Sequence, residues 1–434
     1  MGILRASDHA MNLLPKELRR VTRQLGPGLI TGAADDDPSG LATYSQAGAA
    51  FGAGMLWTLV LTTPLMIAIQ MVSARIGWVT GRGLAANICR VVPHWLAVAL
   101  IGLLVVANTL NIAADIAAMG EALQLVVGGG QHGHALLFGA LCAWLPVHFS
   151  YDSMVRVLKW LTLALLSYVG VVFALHVNWE SVLQRTLVPD LQAGSIYWMM
   201  IVAVLGTTIS PYLFFWKASQ ESEQRQKSAM AEDLATHPHF MQEHLARIKL
   251  DTSFGMLFSN LIAFCVMLAT AMTLNVNGIT DIQTTAQAAQ ALKPIAGEFA
   301  FTLFALGVVG TGMLAVPVLA GSAAYAVAEL FAWRSGLDHK LSEAKGFYGV
   351  LISATLVGTL LDFTALDPIK ALVWSAVVNG VIAVPIMAVL MLIGSKRVIL
   401  GEHILSLRHR VMGWLAFAVM LMAVLAMLVS FAIG

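Results

Sequence analysis

Long apolar runs alternate with short polar or Gly/Pro-rich breaks along the whole chain. Most runs reach the roughly 18–20 residues that a helix needs to cross a hydrocarbon core about 30 Å thick. They lack the roughly 10-residue alternation of an outer-membrane strand. The pattern predicts eleven helical spans, at about 26–52, 54–77, 95–127, 133–150, 155–177, 195–217, 250–275, 296–331, 346–362, 368–394 and 411–433. The third and eighth exceed a single crossing, which tilt or extension into the loops would absorb. The expected fold class is all-α, a polytopic membrane protein.

Composition narrows the function classes. Of 434 residues, 58% are hydrophobic and 11% charged, against about 25% charged in a soluble domain. A soluble enzyme, a disordered chain, a collagen-like fibre and a basic nucleic-acid binder are excluded. The net charge of +1 says nothing about partners, but the placement of charge does. With the N-terminus inside, 22 of the 25 Lys and Arg residues fall in cytoplasmic segments. Only Arg185, Lys293 and Lys370 fall outside. A missed helix would scramble that alternation, so the bias supports eleven helices, N-terminus in and C-terminus out.

The expected organisation is a cytoplasmic segment 1–25, a membrane core of helices at 26–394, and a cytoplasmic loop with the last helix at 395–434. The first segment is polar and basic and does not read as a cleavable signal. Cys89, Cys142 and Cys265 are isolated, which argues against disulfides and thiolate metal sites. The polar stretch 219–248 reads as a cytoplasmic loop. Its His237, His239 and His244 are open to two readings, a solvated loop or a regulatory metal site. Membrane lipid is the expected surrounding; no cofactor, nucleic acid or obligate protein partner is implied. The expected location is a bacterial inner membrane.

Two spans are not plain. The first reads Gly26-Pro-Gly-Leu-Ile-Thr-Gly-Ala-Ala-Asp-Asp-Asp-Pro-Ser-Gly40. One acidic residue at the centre of a membrane helix costs about 2.5–3.5 kcal/mol. Asp35, Asp36 and Asp37 must therefore face a watery cavity, bind a cation or be partly protonated. Pro38 removes a backbone donor and disfavours helix at Asp37. An unwound segment with free carbonyls beside carboxylates is one reading; Asp at a helix start, capping the next helix, is the other. The sixth span, Val204-Leu-Gly-Thr-Thr-Ile-Ser-Pro-Tyr-Leu-Phe-Phe-Trp216, also carries a mid-span proline, Pro211. Helices 1 and 6 each open a set of five. Five is odd, so the second set enters from the opposite side. A broken helix at the same place in each inverted half points to a midplane site in a secondary transporter.

These residues resemble the NRAMP family of divalent-metal transporters. The similarity is carried by Gly26-Pro-Gly-Leu-Ile30, the Asp37-Pro38 pair, Gln70-Met-Val-Ser-Ala-Arg-Ile-Gly77 with Thr80-Gly-Arg82, and Ala114-Asp-Ile-Ala117. It is clearest over 26–120, weaker around 204–220 and faint beyond. It implies a LeuT-like fold of two inverted five-helix repeats plus one helix. It places metal ligands at the Asp37 carboxylate and the carbonyls of Ala34 and Thr207. The family's Asp-Pro-Gly-Asn is here Asp37-Pro38-Ser39-Gly40, and its Met-Pro-His is Ser210-Pro211-Tyr212. Loss of the soft thioether, with Asp35 and Asp36 added, favours a hard ion such as Mn2+ or Mg2+, with Ca2+ a further option. The family's proton path would map to Asp115, with Tyr212 at the helix-6 His position and Ala118 in place of a Glu. Transport with weak or no proton coupling, or H+ symport, both remain open.

Asn108, Asn111 and Asp115 recur on one face of helix 3, which either lines a water path or bonds a neighbouring helix. Asn379 in helix 10 lies near a polar amide of the family; a late ligand and a packing group are both open. Six tryptophans, Trp57, Trp78, Trp95, Trp179, Trp198 and Trp216, fall near span ends as an aromatic belt would. Glu329 reads as a snorkelling or base-paired group at a cytoplasmic end. A carrier of amino acids or other small solutes on the same fold is the competing function. Three aspartates at the break argue for a cation instead, and no hydrolase motif supports an enzyme.

Overall fold

The computed structural model describes residue 32 and residues 35–149, 163–227, 238–364 and 367–433, without the side chains of 227, 238–240 and 242. The segment 1–25, the stretch 26–30, Ala34 and His237, all used above, lie outside the described residues. Among the described residues every regular element is helical. The principal helices are α1 Pro38–Phe51, α2 Leu56–Thr80, α3 His94–Val127, α4 Gln131–His148, α5 Leu166–Ala174 and α6 Ser195–Thr208. They continue as α7 Pro211–Lys227, α8 Pro238–Thr273, α9 Ala300–Leu330, α10 Lys345–Leu361, α11 Pro368–Ser395 and α12 Leu407–Ile433. By length and hydropathy, seven stretches among the described residues could cross a membrane. An eighth is added if Leu163–Ala174 and Trp179–Leu187, bent by 117°, form one span. That count falls short of eleven for a physical reason. The 14 residues of α1, about 21 Å of helix, run on into α2 and register with it as one stretch, Pro38–Thr80, while α10 with 17 residues is too short to register.

The long α3 packs along α9 and against α4, α10 and α11. The short α1 sits inside, against α8, α11 and α6. Both α7 and α8 pack on α2. Without a hydrophobic drive between helices in lipid, close backbone approach through small residues supplies the contact. At Gly206 in α6 an added Cβ would overlap the carbonyl oxygen of Ala376 in α11. At Gly312 in α9 it would lie 2.6 Å from the sulfur of Met119 in α3.

The stretch 219–248 is not a loop at its described ends. Helix α7 runs on to Lys227 and α8 begins at Pro238. Polar residues hold these ends in helix because they pair inside the protein. Lys217 Nζ lies 3.1 Å from Glu221 Oε1 and 3.6 Å from Asp251 Oδ2, and His244 Nε2 lies 3.7 Å from Glu221 Oε2. His244 is not solvated; its ring stacks on Trp78, with centroids 3.3 Å apart. Two of the expected belt tryptophans are buried in the protein instead, Trp78 and Trp216. Trp95 and Trp179 are exposed. Glu329 pairs with no base among the described residues. Its carboxylate accepts from the Ala86 amide at 3.1 Å and the Ser219 hydroxyl at 3.0 Å, capping the short helix Leu84–Ile88.

Candidate cation site

Helical hydrogen bonding lapses at Asp36–Asp37 and resumes at Pro38. Asp37 is extended, with φ −67° and ψ 169°, and caps α1. Its Oδ1 accepts from the Gly40 amide at 2.6 Å. A proline in the first turn suits this geometry, because its missing N–H would have had no partner there. The second break lies at Ile209–Ser210, between α6 and α7. Pro211 cannot donate to the carbonyl four residues before it, which is that of Thr207. Ser210 Oγ lies within donating distance of the freed carbonyls of both Thr207, at 2.7 Å, and Gly206, at 2.9 Å, and serves one of them at a time. The same arithmetic in the sequence pairs Pro38 with the carbonyl of Ala34.

The two breaks meet. A Cβ at Gly40 would lie 3.0 Å from Thr207 Oγ1, 3.3 Å from the Asp35 carbonyl oxygen and 3.4 Å from Asp37 Oδ1. Glycine lets the break of the first helix approach α6 this closely. While Oδ1 of Asp37 serves the cap, Oδ2 accepts from Asn111 Nδ2 at 3.0 Å and from the Tyr212 hydroxyl at 3.4 Å. Asn111 Nδ2 also lies 3.5 Å from Asp115 Oδ2. So one face of α3 ties Asp115 to Asp37 through an amide. Asp35 and Asp36 point elsewhere, to Ser259 in α8. All these side chains are buried, from Asp115 at 0% exposure to Asp36 at 5%. None of the ion pairs among the described residues includes any of these four carboxylates.

The structure therefore brings Asp37, Thr207, Ser210, Tyr212 and Asp115 around the meeting of the two breaks. Asn379 is buried in α11, and its Oδ1 has no hydrogen-bond partner among the described residues. Among the described residues no hydrogen bond links it to Asp37. The Asn pair of α3 divides. Asn111 reaches the break, whereas Asn108 Nδ2 bonds the Leu319 carbonyl at 2.9 Å and Ser322 Oγ at 2.7 Å in α9, a helix–helix tie. Sequence reasoning missed Ser259, and also Ser39, whose hydroxyl bonds the Leu372 carbonyl and Ser375 Oγ, both at 3.1 Å. A lone serine in an apolar span carries no signal of its own. Among the described residues no set of three or more His, Cys, Asp or Glu converges as a metal cage. A cation here would draw on carbonyls, hydroxyls and water as well as carboxylates.

A polytopic helical chain with two broken helices meeting over buried carboxylates defines a membrane transport protein of LeuT-like architecture. The family model for Natural resistance-associated macrophage protein-like (Nramp) proteins matches residues 28–430, and the chain belongs to that family. Membership makes it a transporter and not an enzyme. The divalent metal cation transporter MntH of Caldanaerobacter subterraneus subsp. tengcongensis is 25% identical over 435 residues, covering 94% of this chain and 93% of its own. The crystal structure of a manganese transporter from Eremococcus coleocola, bound to an aromatic bis-isothiourea compound, matches with TM-score 0.71 at 16% identity. That match covers 96% of this chain and 88% of the other. Mhp1, a nucleobase-cation-symport-1 family transporter, matches with TM-score 0.59 at 12% identity, over 94% of this chain and 91% of its own. At such identities the solved structures establish the fold, which is the LeuT-like one expected from the sequence.

Proposed function

We propose that this chain moves a hard divalent cation, Mn2+ or Mg2+, across the membrane by alternating access through a site at its two helix breaks. The observation that carries the reading is the position of Asp37. It caps α1 with one oxygen and turns the other toward α3 and α7, at the meeting of the two breaks. A buried carboxylate with no base among its described neighbours needs a cation or a proton. The ligands in this reading are the Asp37 carboxylate, the carbonyls of Ala34 and Thr207, and Ser210. Asn379 in α11 is a candidate late ligand, and Asp35 and Asp36 add negative charge. Carboxylate, carbonyl and hydroxyl oxygens favour hard ions over soft ones.

The MntH relative, a divalent metal cation transporter, supports a divalent metal as cargo, and the Eremococcus manganese transporter supports manganese as the ion to test first. A proton path, where one operates, runs through Asp115, Asn111 and Asp37, with Tyr212 alongside. Eleven helices in a bacterial inner membrane, N-terminus in and C-terminus out, fit the basic-residue bias. The division into 1–25, 26–394 and 395–434 follows the same reading. No observation favours an amino-acid cargo. The test is uptake of Mn2+ into proteoliposomes, with Mg2+ and Ca2+ as competitors, an internal pH dye and an Asp37→Ala control. Saturable uptake blocked by Mg2+ and abolished in the variant is the expected result. Acidification tracking uptake would assign proton symport to Asp115. No metal flux under any gradient would overturn the reading.

A further inference from the structure

We propose that Asp35, Asp36 and Ser259 form a second position for a hard divalent cation, separate from the one at Asp37. The inference rests on the carrier reading above and deepens it. Ser259 Oγ in α8 lies 2.9 Å from Asp35 Oδ2 and 3.1 Å from Asp36 Oδ1. A hydroxyl has one proton and serves one acceptor at a time. One of the two carboxylate oxygens therefore goes without its donor. Asp35 Oδ1 is a further buried oxygen with no hydrogen bond. Exposure is 1% at Asp35, 5% at Asp36 and 1% at Ser259, so water at the protein surface does not supply what is missing.

With both carboxylates ionised this arrangement is costly without a cation. Two like charges would converge on one neutral atom away from bulk water, and each buried charge carries a penalty of several kcal/mol. A divalent cation removes all three faults together. It balances both charges, takes up the orphaned Asp35 oxygen, and accepts a lone pair from Ser259 once the hydroxyl proton turns aside. Carboxylate and hydroxyl oxygens are hard donors, which sets the class of ion.

The position is distinct because the partners are distinct. Asp37 faces α3 and α7 through Asn111 and Tyr212. Asp35 and Asp36 face α8, and among the described residues the two sets share no hydrogen-bond partner. Two metal ions tolerate close approach when separate carboxylates divide between them, as two-metal sites about 3.5–4 Å apart demonstrate. An ion held by Ser259 ties the first break to α8, an unbroken helix. An ion at Asp37 ties the same break to α3 and α7. The two positions make successive stations on either side of one unwound segment.

The test uses the full chain purified in detergent, with Mn2+ as the probe. Bound Mn2+ is counted by equilibrium dialysis and its EPR spectrum recorded. Two Mn2+ per chain with mutually broadened spectra are expected for the wild type. Asp37→Asn should hold one, as should the Asp35→Asn/Asp36→Asn double variant, each with the broadening gone. Ser259→Ala should weaken the second ion about tenfold, the scale of a lost supporting oxygen, and leave the first within about twofold. Elution volume and thermal midpoint check folding. If the double variant fails to fold, Ser259→Ala decides the matter through the second ion alone. A single Mn2+ on the wild type overturns the proposal, whether or not Asp35 and Asp36 alter its affinity, because they would then be idle or part of the Asp37 site. The proposal also fails if Ser259→Ala leaves both ions unchanged. No Mn2+ on the wild type would instead overturn the carrier reading.

Discussion

Asp37 answers two demands with its two oxygens. Oδ1 accepts from the Gly40 amide and Oδ2 from Asn111 and Tyr212. The choice between a capping aspartate and a cation-binding one is therefore no choice at all in geometry; the cap uses one oxygen and leaves the other. The roles separate by chemistry. Asparagine caps helices about as well as aspartate but carries no charge. Asp37→Asn should keep the thermal midpoint within a few degrees, the span of about 1 kcal/mol, and lose at least about 100-fold of Mn2+ uptake, since roughly 2.7 kcal/mol of lost ion binding suffices. Uptake near the wild-type level would remove Asp37 from the transport path. Ser210 supports a second prediction. Its hydroxyl folds back on the Thr207 and Gly206 carbonyls, a hard-oxygen surrounding. Ser210→Met places a soft thioether there. Competition by Cd2+ against Mn2+ uptake should strengthen, and competition by Mg2+ weaken, each about tenfold, following ligand softness. Unchanged competition by both ions would place residue 210 away from the cargo.

At the scale of elements, the structure departs from simple hydropathy where charges pair inside the protein. Lys217, Glu221 and Asp251 are nearly inaccessible, and they join α7 to α8 above their common support, α2. A hydropathy scan reads such charges as loop because it assumes that charge means water. Removing one partner from a buried set leaves the others uncompensated, at about 3–5 kcal/mol. Lys217→Met should lower the thermal midpoint in detergent accordingly. Neutralising the set further with Glu221→Gln and Asp251→Asn should restore most of the loss. A Lys217→Met protein as stable as the wild type would show that the carboxylates find other compensation. The broken helices were legible for the opposite reason. Adjacent aspartates, Pro38 and Pro211 in apolar runs violate helix chemistry so strongly that few conformations remain.

Across the whole molecule, the proposed topology turns on an odd number of crossings, which places the two chain ends on opposite sides. The native cysteines simplify a direct check, because Cys142 and Cys265 are buried and Cys89 is half-buried. In a background with these three replaced, a cysteine at Ser7 should react with a membrane-impermeant maleimide only after the cytoplasm is opened. One at Gly434 should react in intact cells. Labelling of both from the same side would require an even number of crossings; the two five-helix repeats already total ten, so it would overturn the single helix outside them.

The sequence by itself determined the all-α membrane class, the two breaks, and the residue types held at them. Each follows from local rules about apolar length, proline donors and buried charge that no neighbour can repeal. Tertiary structure decided which side chains share a space. It sent Asn111 to Asp37 and Asn108 to α9, though the two lie one turn apart on α3. It brought Ser259, 224 and 223 residues away in the chain, to Asp35 and Asp36. It buried Trp78 and Trp216 in protein where hydropathy placed them at a lipid boundary. Lipid and protein interior are equally apolar to a hydropathy scale, so only the packing of one helix face against another distinguishes them.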